Sequence, residues 1–581
     1  MPQDAITLKK LSHELNDLLT GARVNKITQP SSDEVILFVY TDNGNAKLSI
    51  SASALFSRVG FTSAERKNPA VAPGFCMLMR KHLLNATVKN VELLGSERII
   101  KITFNSKNDF LEPTEKQLYC EIMGKYSNAI LCENDVIAGT MKPSQIDFSK
   151  DRTLLCGVKY TLPKAQEKIE FGQKNQVLSY FSDFCGGDLA EYVFNGIKGF
   201  SLPAAKEAVF RALKTTAFDY PLSDDKKPSP ENLYAKIDEF LSQNETSPCV
   251  VYSSDNLPLD YFFTDYVTVK GEKKFFDCLC DAEEEFFDLK RALREKSELK
   301  NKLISATNAA LKKERKKLQT IHDKESECAD GEKYRIFGEL ITANLYKIKR
   351  GDKFLIAQNY YDDNAEIKIN LDETLSPNAN AQKYFKKYTK IKNTLKAIAP
   401  QKEQTLSEID YLESVLSEIN SAQTATDLAD VEEELKFTGV IKTQNGGVKI
   451  KKADLKINYR TFEYNGYKIR AGKNNIQNDK LTFSSRPSDM WLHAKNYHSA
   501  HVVIESNGKH VPDEIILIAA EICAFYSEAK GGGKVEVDYC QKKYVKKPPQ
   551  AKSGAVIYTD FKTILVTPSA HKNLETQSAR N

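Results

Sequence analysis

DAEEEFFDLKRALREKSELKNKLISATNAALKKERKKLQTIHDKE, residues 281–325, holds neither proline nor glycine and is built largely from Glu, Lys, Leu and Ala. Such a run reads as one long helix, because these residues lose little side-chain freedom on coiling. Residues 379–420 share this composition apart from Pro400, and an apolar knot, YRIFGELITANLYKI (334–348), lies between the two. Two long helices flanking a compact tip predict a long antiparallel coiled-coil arm over 275–436, with its tip near 330–358. Phe286, Leu289, Leu293 and Leu303 fit its apolar seam, whereas Lys296 and Lys300 interrupt it. An arm surrounded by solvent tolerates such interruptions, since it buries few layers.

What flanks the arm reads as separate domains, as expected for 581 residues, because single cores stop growing at about 250–300 residues. Residues 5–21 carry Ile6, Leu8, Leu11, Leu15, Leu18 and Leu19 at helical spacing, ended by Gly21. Alternating segments follow at 34–40, 47–51, 98–104, 118–123 and 129–133, predicting a β-rich first domain over 1–168. Residues 169–248 read as a small helical domain. Within it, Asn195-Gly196-Ile197-Lys198-Gly199-Phe200 precedes the amphipathic AAKEAVFRALK. This is either a helix-hairpin-helix that offers backbone N–H groups to a phosphate or a glycine-rich turn. Strands and turns return over 437–575, with a hairpin turn at Asn465-Gly466 and an apolar-faced helix over 512–529. The fold class is α+β and multidomain.

The bulk composition restricts function less than the local patterns do. Net charge is +5, from 83 Lys and Arg against 78 Asp and Glu, so the total does not select a partner. Eleven scattered cysteines without a CxxC spacing argue for a reducing compartment and against structural zinc. No signal peptide opens the chain and no run is long and apolar enough to span a membrane, so a cytoplasmic protein without a membrane partner is expected.

Local charge is more informative. Lys290, Arg291, Arg294, Lys296, Lys300, Lys302, Lys312, Lys313, Arg315, Lys316 and Lys317 meet only Glu295, Glu298 and Glu314 within 290–317. A basic rod suits a phosphate backbone, and is also what a solvated helix face looks like. A second strip, Lys530, Lys534, Lys542, Lys543, Lys546, Lys547 and Lys552, is interleaved with Tyr539, Tyr544 and Tyr558, the mixture that looped RNA uses for charge and stacking. His493, His498, His501 and His510 lack a zinc spacing, so no metal is expected, and Trp491 reads as core or as an RNA-stacking surface. Pro2 could form a Schiff base as an N-terminal amine, but no acid neighbours it at Gln3. Walker A, G-x-S-x-G and kinase motifs are absent, and neither catalytic residues nor a cofactor are expected.

Several blocks together resemble the RqcH/NEMF (NFACT) family of ribosome quality-control factors, long described as fibronectin-binding-protein-like. They are ELNDLLTGARVNKITQP (14–30), NPAVAPGFCMLMRKHL (68–83), EIMGKYSNAILCE (121–133), LDETLSPNANAQKYFKKYTKIK (371–392), AGKNNIQNDKLTFSSRPSDMWLHAKNYHSAHVVI (471–504) and VDYCQKKYVKKPPQAKSGAVIY (537–558). The resemblance implies an N-terminal domain with the DNA-glycosylase N-domain fold, a helix-hairpin-helix domain, the arm, and a C-terminal RNA-associated domain. It implies binding to the large ribosomal subunit (50S) carrying peptidyl-tRNA, and recruitment of alanyl-tRNA for C-terminal alanine tailing. Peptide bonds would then be made by ribosomal RNA, so the chain would not be an enzyme. The family's Asp-Arg pair falls on Glu97-Arg98, and the resemblance places tRNA at Glu97, Arg98, Glu121, Met123 and Lys125. RNA or the ribosome is expected at Lys312, Lys313, Arg315 and Lys316 of the basic rod, at Lys542 and Lys543 of the second strip, and at Lys473, Asn474, Asn475, Trp491, His493 and His501 within the blocks that resemble the family's C-terminal domain. Two departures stand out: Glu for Asp at 97, and His498-Ser499 where the family has Pro-Gly. A surface adhesin for fibronectin and a glycosylase-like DNA enzyme using Pro2 are the alternative readings.

Overall fold

Segments rich in Val, Ile and Leu build nine strands within the described part of the first 140 residues, after a helix whose Leu8, Leu11, Leu15 and Leu19 are fully buried. The computed structural model describes residues 3–107, 112–143, 152–164, 166–215, 218–220, 229–243, 246–442, 457–549 and 551–576. Pro2, the proposed Schiff-base amine, lies outside the described residues. The chain divides into two units, 1–294 and 295–581.

In the first unit, α1 (Ala5–Leu19) precedes β1 (Arg23–Ser31), β2 (Glu34–Thr41), β3 (Gly44–Ser51) and β4 (Arg58–Phe61). After α2 (Gly74–Leu83) come β5 (Thr87–Leu93), β6 (Ile99–Lys107), β7 (Pro113–Glu121), β8 (Asn128–Glu133) and β9 (Val136–Thr140). They form one sheet in the order β4-β3-β2-β1-β5-β6-β7-β8-β9. Every pair is antiparallel; strands consecutive in the chain pair with each other within β1 to β4 and within β5 to β9, and β1 meets β5 across the connection that holds α2. Helices α3 (Lys174–Ser182), α4 (Leu189–Gly196), α5 (Leu202–Leu213) and α6 (Pro230–Ser242) follow, with the short pair β10 (Gly187–Asp188) and β11 (Asp219–Tyr220). Three more strands, β12 (Cys249–Tyr252), β13 (Pro258–Phe262) and β14 (Glu272–Phe275), complete the unit. A single hydrophobic core runs from α1 and the large sheet through these helices to Phe286 and Phe287.

The run quoted first is one helix, α7 (Leu279–Glu327), and the second run is α9 (Pro377–Ser421), which continues through Pro400. Pro400 forgoes one helical hydrogen bond, and the long helix on either side absorbs the loss. At the start of α7 the Glu14 carboxylate accepts from the N–H groups of Leu279 (2.9 Å) and Cys280 (3.0 Å), satisfying two donors that have no partner within the helix.

In the second unit α7 and α9 run antiparallel. Lys300 Nζ donates to Asn420 O at 3.3 Å, Arg315 pairs with Glu413 at 2.6 Å and Lys402 pairs with Glu325 at 2.7 Å, so one number falls as the other rises. Lys296 likewise donates to the Gln423 carbonyl. The two lysines that break the apolar seam thus serve the carbonyls at the C-terminal end of α9, where positive charge is favoured. Three seam expectations need correction. Phe286 packs against Tyr261 and Phe287 instead, and Leu289 and Leu293 are exposed, because the ladder of cross-helix bonds begins only at Lys296. Leu303 is buried as expected, beside Leu311, Tyr411 and Val415. Between the long helices, α8 (Gly331–Ala343) packs under the hairpin β15 (Phe354–Asn359) and β16 (Ala365–Asn370).

After α10 (Ala425–Phe437), strands β17 (Arg460–Tyr464), β18 (Tyr467–Ala471), β19 (Met490–Ala494), β20 (Val502–Glu505), β21 (Val535–Gln541) and β24 (Lys562–Val566) form a sheet ordered β17-β18-β20-β19-β21-β24. Strands β22 (Val545–Lys546) and β23 (Ile557–Tyr558) pair separately. Asn465 and Gly466 both have positive φ, 46° and 77°, the turn that β17 and β18 require. Helix α11 (Asn475–Ser484) lies beside the sheet, and α12 (Asp513–Phe525) buries Ile515, Ala519 and Ile522 against it. We expect Glu14→Ala to lower the unfolding free energy of the first unit by about 1–2 kcal/mol, the usual cost of a lost helix cap, as a shift in its urea midpoint.

Candidate nucleic-acid interface

Residues 94–99 form a tight turn: Leu94 N donates to Ile99 O at 3.0 Å and Glu97 N to Leu94 O at 3.2 Å. This turn carries Glu97 and Arg98 at the start of β6. The link between α4 and α5 brings Lys198 to it, and its ammonium pairs with Glu97 at 2.6 Å and Glu170 at 3.1 Å. Those two carboxylates hold the Lys198 ammonium above its usual range, against the effect of burial. Burial lowers the Arg98 guanidinium, while Asp4 and Glu97 oppose the shift; an arginine keeps its charge regardless. Glu97, Arg98, Lys198, Lys168, Phe194 and Asp4 line a cavity of about 380 Å3.

The glycine segment 195–200 behaves as a turn whose helix end is already served. Gly196 closes α4, Ser201 Oγ accepts from Ala204 N at 3.3 Å, and the Asp4 carboxylate accepts from Ser201 N at 3.3 Å and Ser201 Oγ at 2.6 Å. A phosphate at this N-terminus would have to displace a carboxylate.

Glu121 is buried and committed, accepting from Arg152 at 3.1 Å and from the Tyr160 hydroxyl at 2.9 Å. It is therefore not available to touch tRNA, a correction to the expected role. Met123 is half-buried on a small core, and its N–H donates to Ser127 Oγ at 2.8 Å. Lys125 is exposed and lies 4.9 Å from the ring of Tyr126, itself 71% exposed. That cation–aromatic pair offers stacking and charge together; Tyr126 was missed in the sequence because it lies in the short turn between β7 and β8, where no periodicity marks which side chains face outward.

On α7, Lys312, Lys313 and Lys316 are exposed, and Arg315 is exposed but paired with Glu413. In the C-terminal domain Lys543 is exposed beside Tyr544, and Lys542 is half-buried, 5.7 Å from the Phe483 ring. Several cations of that strip are matched internally: Lys547 to Asp479 at 2.7 Å and Lys552 to Glu408 at 2.6 Å.

The remaining expected contacts lie inside. Trp491 is fully buried, its indole N–H donating to Thr482 Oγ1 at 3.2 Å, and Thr482 Oγ1 meets His501 Nδ1 at 2.7 Å. Trp491 and His493, two apart on β19, stack in parallel at 5.7 Å. Burial lowers the His493 and His501 imidazoles to about 4 and about 3, so both are neutral near pH 7. Asn474 caps α11 through Gln477 N at 2.8 Å, Asn475 donates to Ser414 Oγ at 2.9 Å, and Lys473 pairs with Asp427 at 3.3 Å. Stacking by Trp491 and direct contact by His501, Asn474 and Asn475 on an outer RNA surface are thus corrected: these side chains organise the interior. Among the described residues, no three of His, Cys, Asp and Glu are grouped to hold a metal ion, and no helix is long and apolar enough to cross a membrane.

The sequence pattern of the NFACT N-terminal and middle domains matches residues 4–454, and that of the NFACT protein RNA binding domain matches residues 457–560. The chain belongs to the NFACT family. It is 34% identical over 585 residues to the Rqc2 homolog RqcH of Bacillus subtilis, covering 98% of each chain. Identity is 31% over 580 residues to the Rqc2 homolog RqcH of Streptococcus pneumoniae serotype 2, covering 98% of this chain and 99% of that one. The archaeal Rqc2 homolog aRqcH of Methanocaldococcus jannaschii is 25% identical over 347 residues, 57% of this chain and 48% of that protein. Within NFACT proteins this chain is of the bacterial RqcH type, with an RNA-binding domain.

Where α9 packs on α10, ahead of the RNA-binding domain, lies a titration that a variant can read. Tyr411 donates to Glu434 at 2.7 Å, and burial raises the Glu434 carboxyl to about 7. A carboxyl raised above its unfolded value near 4.3 binds its proton more tightly in the folded state, so its stabilisation fades as pH climbs through about 7. Glu434→Gln cannot ionise; its urea midpoint relative to the parent protein should rise between about pH 5 and pH 8.

Proposed function

We propose that this chain binds large ribosomal subunits still carrying peptidyl-tRNA and brings alanyl-tRNA to them, so that the ribosome extends the nascent chain with C-terminal alanines. As an RqcH-type NFACT protein it acts in ribosome quality control. The observation that carries the finer reading is identity over 98% of both chains to the Bacillus subtilis Rqc2 homolog RqcH. On this reading the chain makes no bond itself. Ribosomal RNA joins the amino acids, and the protein supplies binding and orientation in the cytoplasm. Its parts are then a glycosylase-N-like β-rich domain (1–168), a helix-hairpin-helix domain (169–248), a coiled-coil arm (275–436) and an RNA-associated domain (437–575).

The tRNA would meet the turn at Glu97-Arg98. A guanidinium can fork onto two phosphate oxygens or a base edge, and a carboxylate can accept from a base amino group. The extra methylene of Glu97, relative to the family's Asp, is held by Lys198 at 2.6 Å, which supports a fixed side chain rather than a loose one. Lys125 and Tyr126 would add charge and a stacking face. Ribosomal RNA would meet the exposed cations of α7 and of the C-terminal domain.

Two outcomes follow. Arg98→Ala should lower recovery of tRNA copurifying with the protein by roughly 5- to 150-fold, the loss of about 1–3 kcal/mol for a forked contact, while sedimentation with 50S subunits persists. Undiminished tRNA would remove Arg98 from the site. Replacing Lys312, Lys313 and Lys316 together by Ala should weaken 50S binding and flatten its dependence on salt by about 0.7–0.9 logarithmic units for each phosphate no longer neutralised.

A further inference from the structure

In the second unit a cleft of about 80 Å3 lies between α9 and the C-terminal domain. From α9 it receives Ser414, Ser417 and Glu418, at the three- and four-residue spacing of one helix face. Opposite stand Lys473, His493 and Lys552, from three stretches far apart in sequence. Backbone comes close at two places. A Cβ on Gly472 would sit 2.1 Å from Asn478 Oδ1, and one on Gly554, where φ is +86°, would sit 2.2 Å from Asn475 Oδ1. Most of the side chains that line the cleft are polar. A water needs about 10–15 Å3 on this scale, so the cleft has room for roughly five to eight waters, or one flat polar group of that bulk.

Glu418 is the anomaly. Both of its carboxyl oxygens are shielded from solvent, and among the described residues neither has a hydrogen-bond partner. An unmatched buried carboxyl costs on the order of 1–3 kcal/mol, so the site is built for something that completes it.

We infer that this cleft takes a single unstacked ribonucleotide, with the Glu418 carboxyl hydrogen-bonded to its base and its phosphate towards Lys552. The choice of RNA as the source rests on the function proposed above. Every wall except α9 belongs to residues matched by the RNA binding domain, and Lys552, 41% exposed at the rim, would share its ammonium between Glu408, 2.6 Å away, and the phosphate. Burial raises the Glu418 carboxyl well above its usual range, and Glu434 adds to the shift, while Arg460 opposes it. A protonated carboxyl presents a donor beside an acceptor, the pattern found along nucleobase edges. This gives the motif blocks at 471–478, 493–501 and 551–554 a common purpose that their burial denied them on an outer surface.

Trp491 is the one tryptophan of the chain and stacks on His493, which lines the cleft, so its emission reports occupancy in the unlabelled full-length protein. AMP, CMP, GMP and UMP, and a short single-stranded RNA of mixed sequence, are titrated separately. A saturable change with the RNA is expected, with or without one from a mononucleotide. Glu418→Leu should weaken it about tenfold or more, as loss of a buried polar partner does, whereas Glu418→Gln, which keeps a donor and an acceptor, should stay within about twofold. Ser417→Phe should abolish it by filling the space; were that variant unfolded by its melting curve, the two Glu418 variants decide. No change with any ligand means a cleft that holds water only and overturns the inference. So does a change equal in the parent protein and in Glu418→Leu, and so does a response to mononucleotides without one to RNA. None of these failures touches tRNA recovery or 50S sedimentation, through which the proposed function stands or falls separately.

Discussion

A carboxylate seated among backbone N–H groups at a helix start is the interaction on which both units depend. Asp4 accepts from Thr7 N at 2.8 Å in α1 and from Ser201 N at 3.3 Å ahead of α5. One side chain thereby fixes two helix ends and, with them, the link that carries Lys198 to Glu97. In the second unit Asp427 accepts from Gln423 N at 3.1 Å, Thr424 N at 3.2 Å and Arg460 at 2.8 Å. That carboxyl is held down to about 2; burial pushes the other way and is outweighed by Arg460, Lys473 and the hydrogen bonds. Helix N-termini favour negative charge, and charge-assisted bonds are roughly twice as strong as neutral ones, so a single well-placed Asp can lock elements that share no continuous sheet.

The same device explains which anions these surfaces can take. A helix end already satisfied by Ser201 and Asp4 offers a phosphate little, so recognition in the first unit falls to side chains on the 94–99 turn. There the charges are arranged rather than loose: Lys198 sits between Glu97 and Glu170, and Ser96 donates to Glu170. A clamp of this kind removes side-chain freedom before any ligand arrives, which lowers the entropy lost on binding.

Much of the architecture was legible because it depends on short-range periodicity. The alternating segments became β2, β3, β6, β7 and β8; Gly21 ends the first helix with φ of 84°; and Asn465-Gly466 makes its hairpin. The three-stranded piece at 249–275 was not legible. CVVY in β12 is buried at every position, so it shows no alternation and could equally be a turn of buried helix. The site was harder still. Glu121 looks like a free acid in a motif until Arg152, 31 residues on, takes it. Trp491 among lysines looks like a stacking platform until the pleat of β19 turns it inward. Which residues are near in sequence is written in the chain; which distant cation satisfies which acid is decided only by packing.

That division has a consequence for recognition. Exposed cations such as Lys312, Lys313 and Lys543 can draw in any polyanion, and salt screens them almost fully because they stand in water. Selectivity needs groups whose unmet hydrogen bonds carry a penalty, and those must be buried. The chain keeps the two kinds apart: cations on helix faces and strand ends, committed acids and amides in the turn at 94–99 and beneath α9. An interface so arranged gains association rate from its surface and discrimination from its interior. The two should respond differently to salt, the first falling steeply and the second hardly at all.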